Sequence, residues 1–195
     1  LSGGKWLIRR FDSTVKPDAT FDTNAGLVAP AAGTALSVQI DPSTSKIVIG
    51  GGDGGQHMLV VRLNTDGSAD QGFANAGTYT ASIVDFSQGS TANAIVVRAD
   101  SGIVIAGDTA AGYPAFVYAL DASGNPDPSF VRFGTANKAT LTGIAQLGNG
   151  DILATGTDTN ASPPALLAVR LTSNGSPDVA FGGGGVRTYA SGSRG

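Results

Sequence analysis

Four stretches of the 195-residue chain carry residue types that could do chemistry. "SPDVAFGGGG" (176–185) sets four glycines behind Asp178 and Phe181, a composition suited to holding a phosphate on backbone N–H groups. "GGGDGG" (50–55) contains Gly-x-Gly-x-x-Gly around Asp53, with the single histidine, His57, just after it. "NTDGSAD" (64–70) and "DASGNPD" (121–127) place side-chain oxygens at alternate positions, as the first half of a calcium loop does.

Each chemistry needs particular elements around it. A dinucleotide fingerprint needs a helix after its glycines, whose N-terminus takes the pyrophosphate. Here "QHMLVVRL" (56–63) follows, a strand by its β-branched, apolar pattern. A calcium loop wants several carboxylates and a closing bidentate acid. In the matching stretch "TSNGSPD" (172–178) only Asp178 is charged, so turn-and-cap is the reading that suits all copies and calcium is its competitor. There is no cysteine, which excludes thiol chemistry and disulfides, and no serine stands in a nucleophile-elbow context.

The glycine run is one copy of a repeat. "KPDATF" (16–21), "SADQGF" (68–73), "NPDPSF" (125–130) and "SPDVAF" (176–181) all carry Asp-x-x-Phe. The pairs are Asp18/Phe21, Asp70/Phe73, Asp127/Phe130 and Asp178/Phe181, at intervals of 52, 57 and 51 residues. Other anchors keep phase: "LVVRLNTDG" (59–67), "FVYALDASG" (116–124) and "LAVRLTSNG" (167–175), with Val15 in the first unit where these have glycine. Upstream lie "KIVIGG" (46–51), "GIVIAG" (102–107) and "DILATG" (151–156), short runs closed by glycine. A motif returning at near-fixed spacing is architecture before it is a site.

Each full unit offers four short strands, and no apolar period of 3.6 residues competes with them. The fold expected is all-β, a β-propeller arc of four-stranded antiparallel blades with about 3.5 repeats of 51–57 residues. Residues 1–190 divide into a half blade (1–30) and three blades (31–84, 85–139, 140–190), with 191–195 as linker or tail. In this reading each Asp caps the turn after the third strand, and each Phe drops between blades. Gly26, Gly77, Gly134 and Gly185 then restart the outer strand.

A strand ending in Arg-Leu, then "NTDGSADQGFANAG", then a next-unit "SGIVIAG", resembles the delta-60 repeat family of bacterial β-propeller-type repeats. The resemblance implies fold and export to the cell surface or exterior, and no single activity. Three and a half blades do not close a ring. The expectation is therefore that further repeats of a longer parent chain, or other copies, complete the propeller.

The charge balance of −3 argues against nucleic acid and anionic membranes as partners, since both demand basic patches. No membrane insertion is expected, because no apolar run is long enough. The loops that vary between units share the face opposite the Asp-x-x-Phe turns, and variable loops on a constant scaffold are where binding concentrates. The ligand-binding candidates there are Asp53, His57, Asp85, Phe86, Asp108, Tyr113, Asp158 and Asn160. Their acidic and aromatic mixture suits a protein or carbohydrate ligand. The function expected is a non-catalytic extracellular module for binding or assembly. The rival is a propeller hydrolase or lyase acting on a polysaccharide or peptide at the central channel. Against the rival, the innermost strands offer only Gln39, Arg98 and Gln146.

Overall fold

The computed structural model describes residues 6–21, 27–28, 33–54, 57–81, 89–109 and 114–190. These residues form antiparallel β-structure without an α-helix. In the first unit β1 (Leu7–Ile8) pairs with β2 (Leu27–Val28). In the second, β3 (Thr34–Ile40), β4 (Ile47–Gly52), β5 (Met58–Leu63) and β6 (Thr78–Thr80) form a four-stranded sheet in chain order. The third unit supplies β7 (Ser90–Val97), β8 (Ile103–Thr109), β9 (Pro114–Leu120) and the start of β10 (Phe133–Gln146). The fourth takes over the rest of β10 and adds β11 (Ile152–Asp158), β12 (Ala165–Leu171) and β13 (Val186–Tyr189).

Here the structure departs from the expected pair of separate sheets. β7 to β13 are one seven-stranded sheet, because β10 serves both units. Phe133, Gly134 and Lys138 pair with β9, and Ala139 onward pairs with β11, with the register slipping between Gly134 and Lys138. "ANKAT" (136–140) holds neither glycine nor proline, so nothing stops the strand and the crossover is absorbed as an irregularity. Gly134 accordingly lies inside β10 and restarts no strand, while Gly26 is outside the described residues.

The second and third units are apolar on both faces, as stacked units require. In the second unit Ile47, Ile49, Leu59, Val61 and Leu63 pack towards the first unit, against Trp6, Ile8 and Phe21. The alternate residues Val48, Met58 and Val60 pack the other way, onto Ile95, Val97, Ile103, Ile105 and Phe116 of the third. The third unit repeats the arrangement onto the fourth, Val104, Ala106 and Val117 meeting Leu141, Ile152 and Val169. Each buried Val, Ile or Leu contributes about 1.5–3 kcal/mol, so these joints hold the molecule together.

The first strand of each unit carries a bulge at one position, after Ala35, Ala92 and Leu141. The bulge swings the carbonyls of Thr34, Thr91 and Thr140 over the second strand. A Cβ on Gly51, Gly107 or Gly156 would stand about 2 Å from those oxygens. That is why each second-strand run closes in glycine: no side chain fits beneath the bulge.

Candidate functional site

The recurrent Asp-x-x-Phe turns were the strongest sequence signal, and their geometry is the same four times. The Asp N–H donates to the carbonyl eight residues earlier, at Arg10, Arg62, Ala119 or Arg170. The Phe N–H donates to the carbonyl of its Asp. One Asp carboxylate oxygen accepts the N–H two residues on, from Thr20, Gly72, Ser129 or Ala180. These are the caps expected from sequence.

The other carboxylate oxygen does something the sequence reading missed. Asp18 takes Arg10 at 2.8 Å, and Asp70 takes both Arg62 at 2.6 Å and Lys46 at 2.9 Å. Asp178 lies 3.1 Å from Arg170, which also bonds Asp151 at 2.9 Å. In the third unit Ala119 replaces the arginine, and Arg98 reaches Asp127 at 2.7 Å from the first-to-second strand turn. Arg62 then lies 4.4 Å above the Phe73 ring, and Arg10 lies 4.9 Å above Phe21. The signal was present as a fixed Arg-to-Asp spacing of eight residues.

The clasp also reaches across units. Arg10 donates to the carbonyl of Thr65, and Arg62 to that of Ala122. Ala74 N–H donates to Ser123, and Val131 N–H to Asn174. Gly124 presses on Phe73 and Gly175 on Phe130, where an added Cβ would stand 2.7 Å from the ring. So the turn glycine of one unit lids the phenylalanine of the unit before it. Phe21, Phe73 and Phe130 are buried. Phe181 is only half-buried, against expectation, because no later turn lies over it among the described residues.

"SPDVAFGGGG" is therefore part of this clasp. Gly182, Gly184 and Gly185 have positive φ, matching Ala74, Ala76 and Gly77 in the second unit. The glycines relieve a left-handed backbone that alanines endure elsewhere. The turns for which calcium was the competing reading are likewise closed by their own chain. Asp66 accepts the N–H and hydroxyl of Ser68, and Asp121 accepts the N–H groups of Ser123 and Asn125. Among the described residues no three His, Cys, Asp or Glu are grouped to hold a metal.

At the opposite ends of the strands lie the loop-face candidates. Asp53 and His57 come together: His57 Nδ1 is 2.6 Å from one Asp53 oxygen, and the His57 backbone N–H donates to the other at 3.1 Å. Asp158 caps its own loop, accepting from Asn160 and Ala161 N–H groups at 2.9 and 3.3 Å. It also lines a cleft of about 370 Å3 floored by Phe133, Leu167 and Val186. Asp108 is half-buried at the end of β8. Burial raises its carboxyl above the ordinary range, against a lowering hydrogen bond from Asn93. Asp85, Phe86 and Tyr113 lie outside the described residues.

Of the inner-strand polar groups Gln39 is exposed, while Arg98 and Gln146 are engaged by their own chain. Arg98 binds Asp127 and Asp100, and Gln146 donates to the Gly150 carbonyl.

The sequence profile of a family described as "Domain of unknown function (DUF5122) beta-propeller" matches residues 43–73 and 147–181. Both segments end on the phenylalanine of an Asp-x-x-Phe turn, in the second and fourth units. No curated protein and no solved structure matches the chain. The match, with the antiparallel repeats, supports a β-propeller-type repeat fold.

Proposed function

We propose that the chain is a non-catalytic binding and assembly module, an arc of four-stranded propeller blades of the delta-60 type, from a bacterial surface or exported protein. Residues 31–84, 85–139 and 140–190 are its blades, with 1–30 as half a blade. The observation that carries the reading is the contrast between the two ends of the strands. At one end Asp and Phe recur in all four units and the same arginine in three, and the clasps of the first three units reach the unit that follows. At the other, equivalent strand ends carry different groups: Asp53 with His57, Asp108 beside Asn93, and Asp158 over an apolar cleft. Such a surface suits a protein or carbohydrate ligand, whose hydroxyl or amide donors the carboxylates accept.

The test is a screen of the full chain against glycan and peptide arrays. A ligand of this face should lose at least about tenfold in affinity with Asp108→Asn or Asp158→Asn, one charged hydrogen bond being worth that much. Asp66→Ala, on the far face, should leave it unchanged. Turnover of a bound polysaccharide or peptide would overturn the non-catalytic reading.

A further inference from the structure

One strand stands out from its counterparts. β3 occupies in the second unit the place of β7 in the third, aligned by their common bulge. Ile95 and Val97 of β7 are 1 % and 9 % exposed, while Val38 and Ile40 at the same positions of β3 are 59 % and 57 % exposed. Leu36 adds a third exposed apolar side chain on that strand. Three such residues in a row on a first strand are what a soluble surface avoids.

The interior joints show what covers this place. Ile95 and Val97 pack against Val48, from the second strand of the preceding unit, as well as Met58, Val60 and Phe73 from its outer half. In the next joint Val104 and Ala106, again from a second strand, join the cluster that holds Leu141 and Ile144. First strands are also cross-linked. Ser37 accepts the Ile95 N–H at 3.2 Å, and Asn93 donates to the Leu141 carbonyl at 3.1 Å. Over the second unit, Trp6, Ile8 and Phe21 supply the outer half of such a cover, on Ile49, Leu59 and Val61. Among the described residues nothing covers the inner half. A hollow of about 320 Å3 lies there between Leu7–Arg9 and Ala35–Val38. The buried indole N–H of Trp6 finds no acceptor among the described residues.

We infer that β3 and the edge of β1 left unpaired among the described residues together form a docking site for a two-stranded antiparallel hairpin of the same repeat type, the first two strands of a unit. Its second strand pairs with β1 as β8 pairs with β9, and lays Val- or Ala-sized side chains on Val38 and Ile40. Its first strand carries an Asn or Ser at the bulge, to bond the Ala35 carbonyl or the Val38 N–H. Backbone carbonyls beside β1 come within range of the Trp6 indole. The hairpin is a repeat segment joined to this chain, rather than the fourth unit of a second copy. A complete unit would bring two outer strands into the place already held by Trp6, Ile8 and Phe21. The inference rests on the blade reading and is independent of any ligand on the loop face.

The test extends the full chain at its N-terminus with a second copy of residues 89–113, the β7–β8 hairpin and its loop. The extended chain should remain monomeric and melt roughly 5 °C or more higher, the effect of burying two or three apolar side chains in a chain of this size. Val38→Lys with Ile40→Lys should hardly change the natural chain and should abolish the gain in the extended one. Because the chain has no cysteine, Val38→Cys gives a second readout that needs no melting curve. Its maleimide labelling should slow at least tenfold on extension, whereas Ile95→Cys should resist labelling in both chains. Equal melting temperatures with equal labelling would overturn the inference. So would self-association of the natural chain that protects Val38→Cys, since the occupant would then be a second copy.

Discussion

The clasps of the second and fourth units are built from the same residues and the same backbone hydrogen bonds, yet they sit in different surroundings. Arg62, Asp70 and Phe73 are buried, with Gly124 of the next turn closing over the ring. Arg170, Asp178 and Phe181 are partly open to solvent. Arg62 donates to the Ala122 carbonyl of the following unit, while Arg170 turns to Asp151 within its own. The difference teaches that the motif specifies the turn, and that the neighbour supplies the energy. A capped turn alone is worth about 1 kcal/mol, whereas a phenylalanine sealed between sheets is worth several.

The most direct way to break this comparison is truncation of the two rings. Phe73→Ala should destabilise the chain by about 3–5 kcal/mol, and Phe181→Ala by less than half of that, in urea or thermal unfolding. Equal losses would mean that the ring acts within its own turn and not as a joint.

Next comes the carboxylate. Asp70→Ala leaves the Arg62 charge buried without its partner and should cost about 3 kcal/mol. Asp178→Ala loses a partly exposed pair and a cap, and should cost about 1 kcal/mol. The pH dependence sharpens the contrast. Burial by itself raises the Asp70 carboxyl, but Lys46, Arg62 and the Gly72 N–H together outweigh it and hold the group below its ordinary range. A carboxyl lowered in the folded state contributes stability that is complete above the unfolded value of about 3.9 and is lost as pH falls through the folded one. The natural chain should therefore weaken in acid below about pH 4, and Asp70→Asn should show a flatter profile there. An unchanged profile would show that the pair carries no net stabilisation.

The smallest effect concerns the first unit. Val15 holds a φ of +62° where Gly67, Gly124 and Gly175 hold +83° to +88°. A β-branched residue in the left-handed region costs about 1–2 kcal/mol, and Val15 is exposed with little packing to lose. Val15→Gly should stabilise the chain by about 1 kcal/mol, and a loss of stability would show that the valine is held by contacts of its own.

Local order was legible in the sequence because it is written in residue types at fixed intervals. The Asp-x-x-Phe period, the β-branched runs and the turn glycines give the strands and caps from backbone preference alone. Asp53 and His57 were legible as candidates on one loop face, but not as a pair. What only the tertiary structure decided involves partners from different units. Arg98 replaces the missing arginine of the third clasp from an inner turn, and Gly124 and Gly175 seal rings some fifty residues upstream. β10 runs through a boundary the repeat placed at 139/140, since pairing on both sides outweighs a change of unit. Val38 and Ile95 look alike in sequence, and one is bare while the other is buried. A pattern of side chains states which face is apolar; whether that face is covered depends on which other segment lies against it.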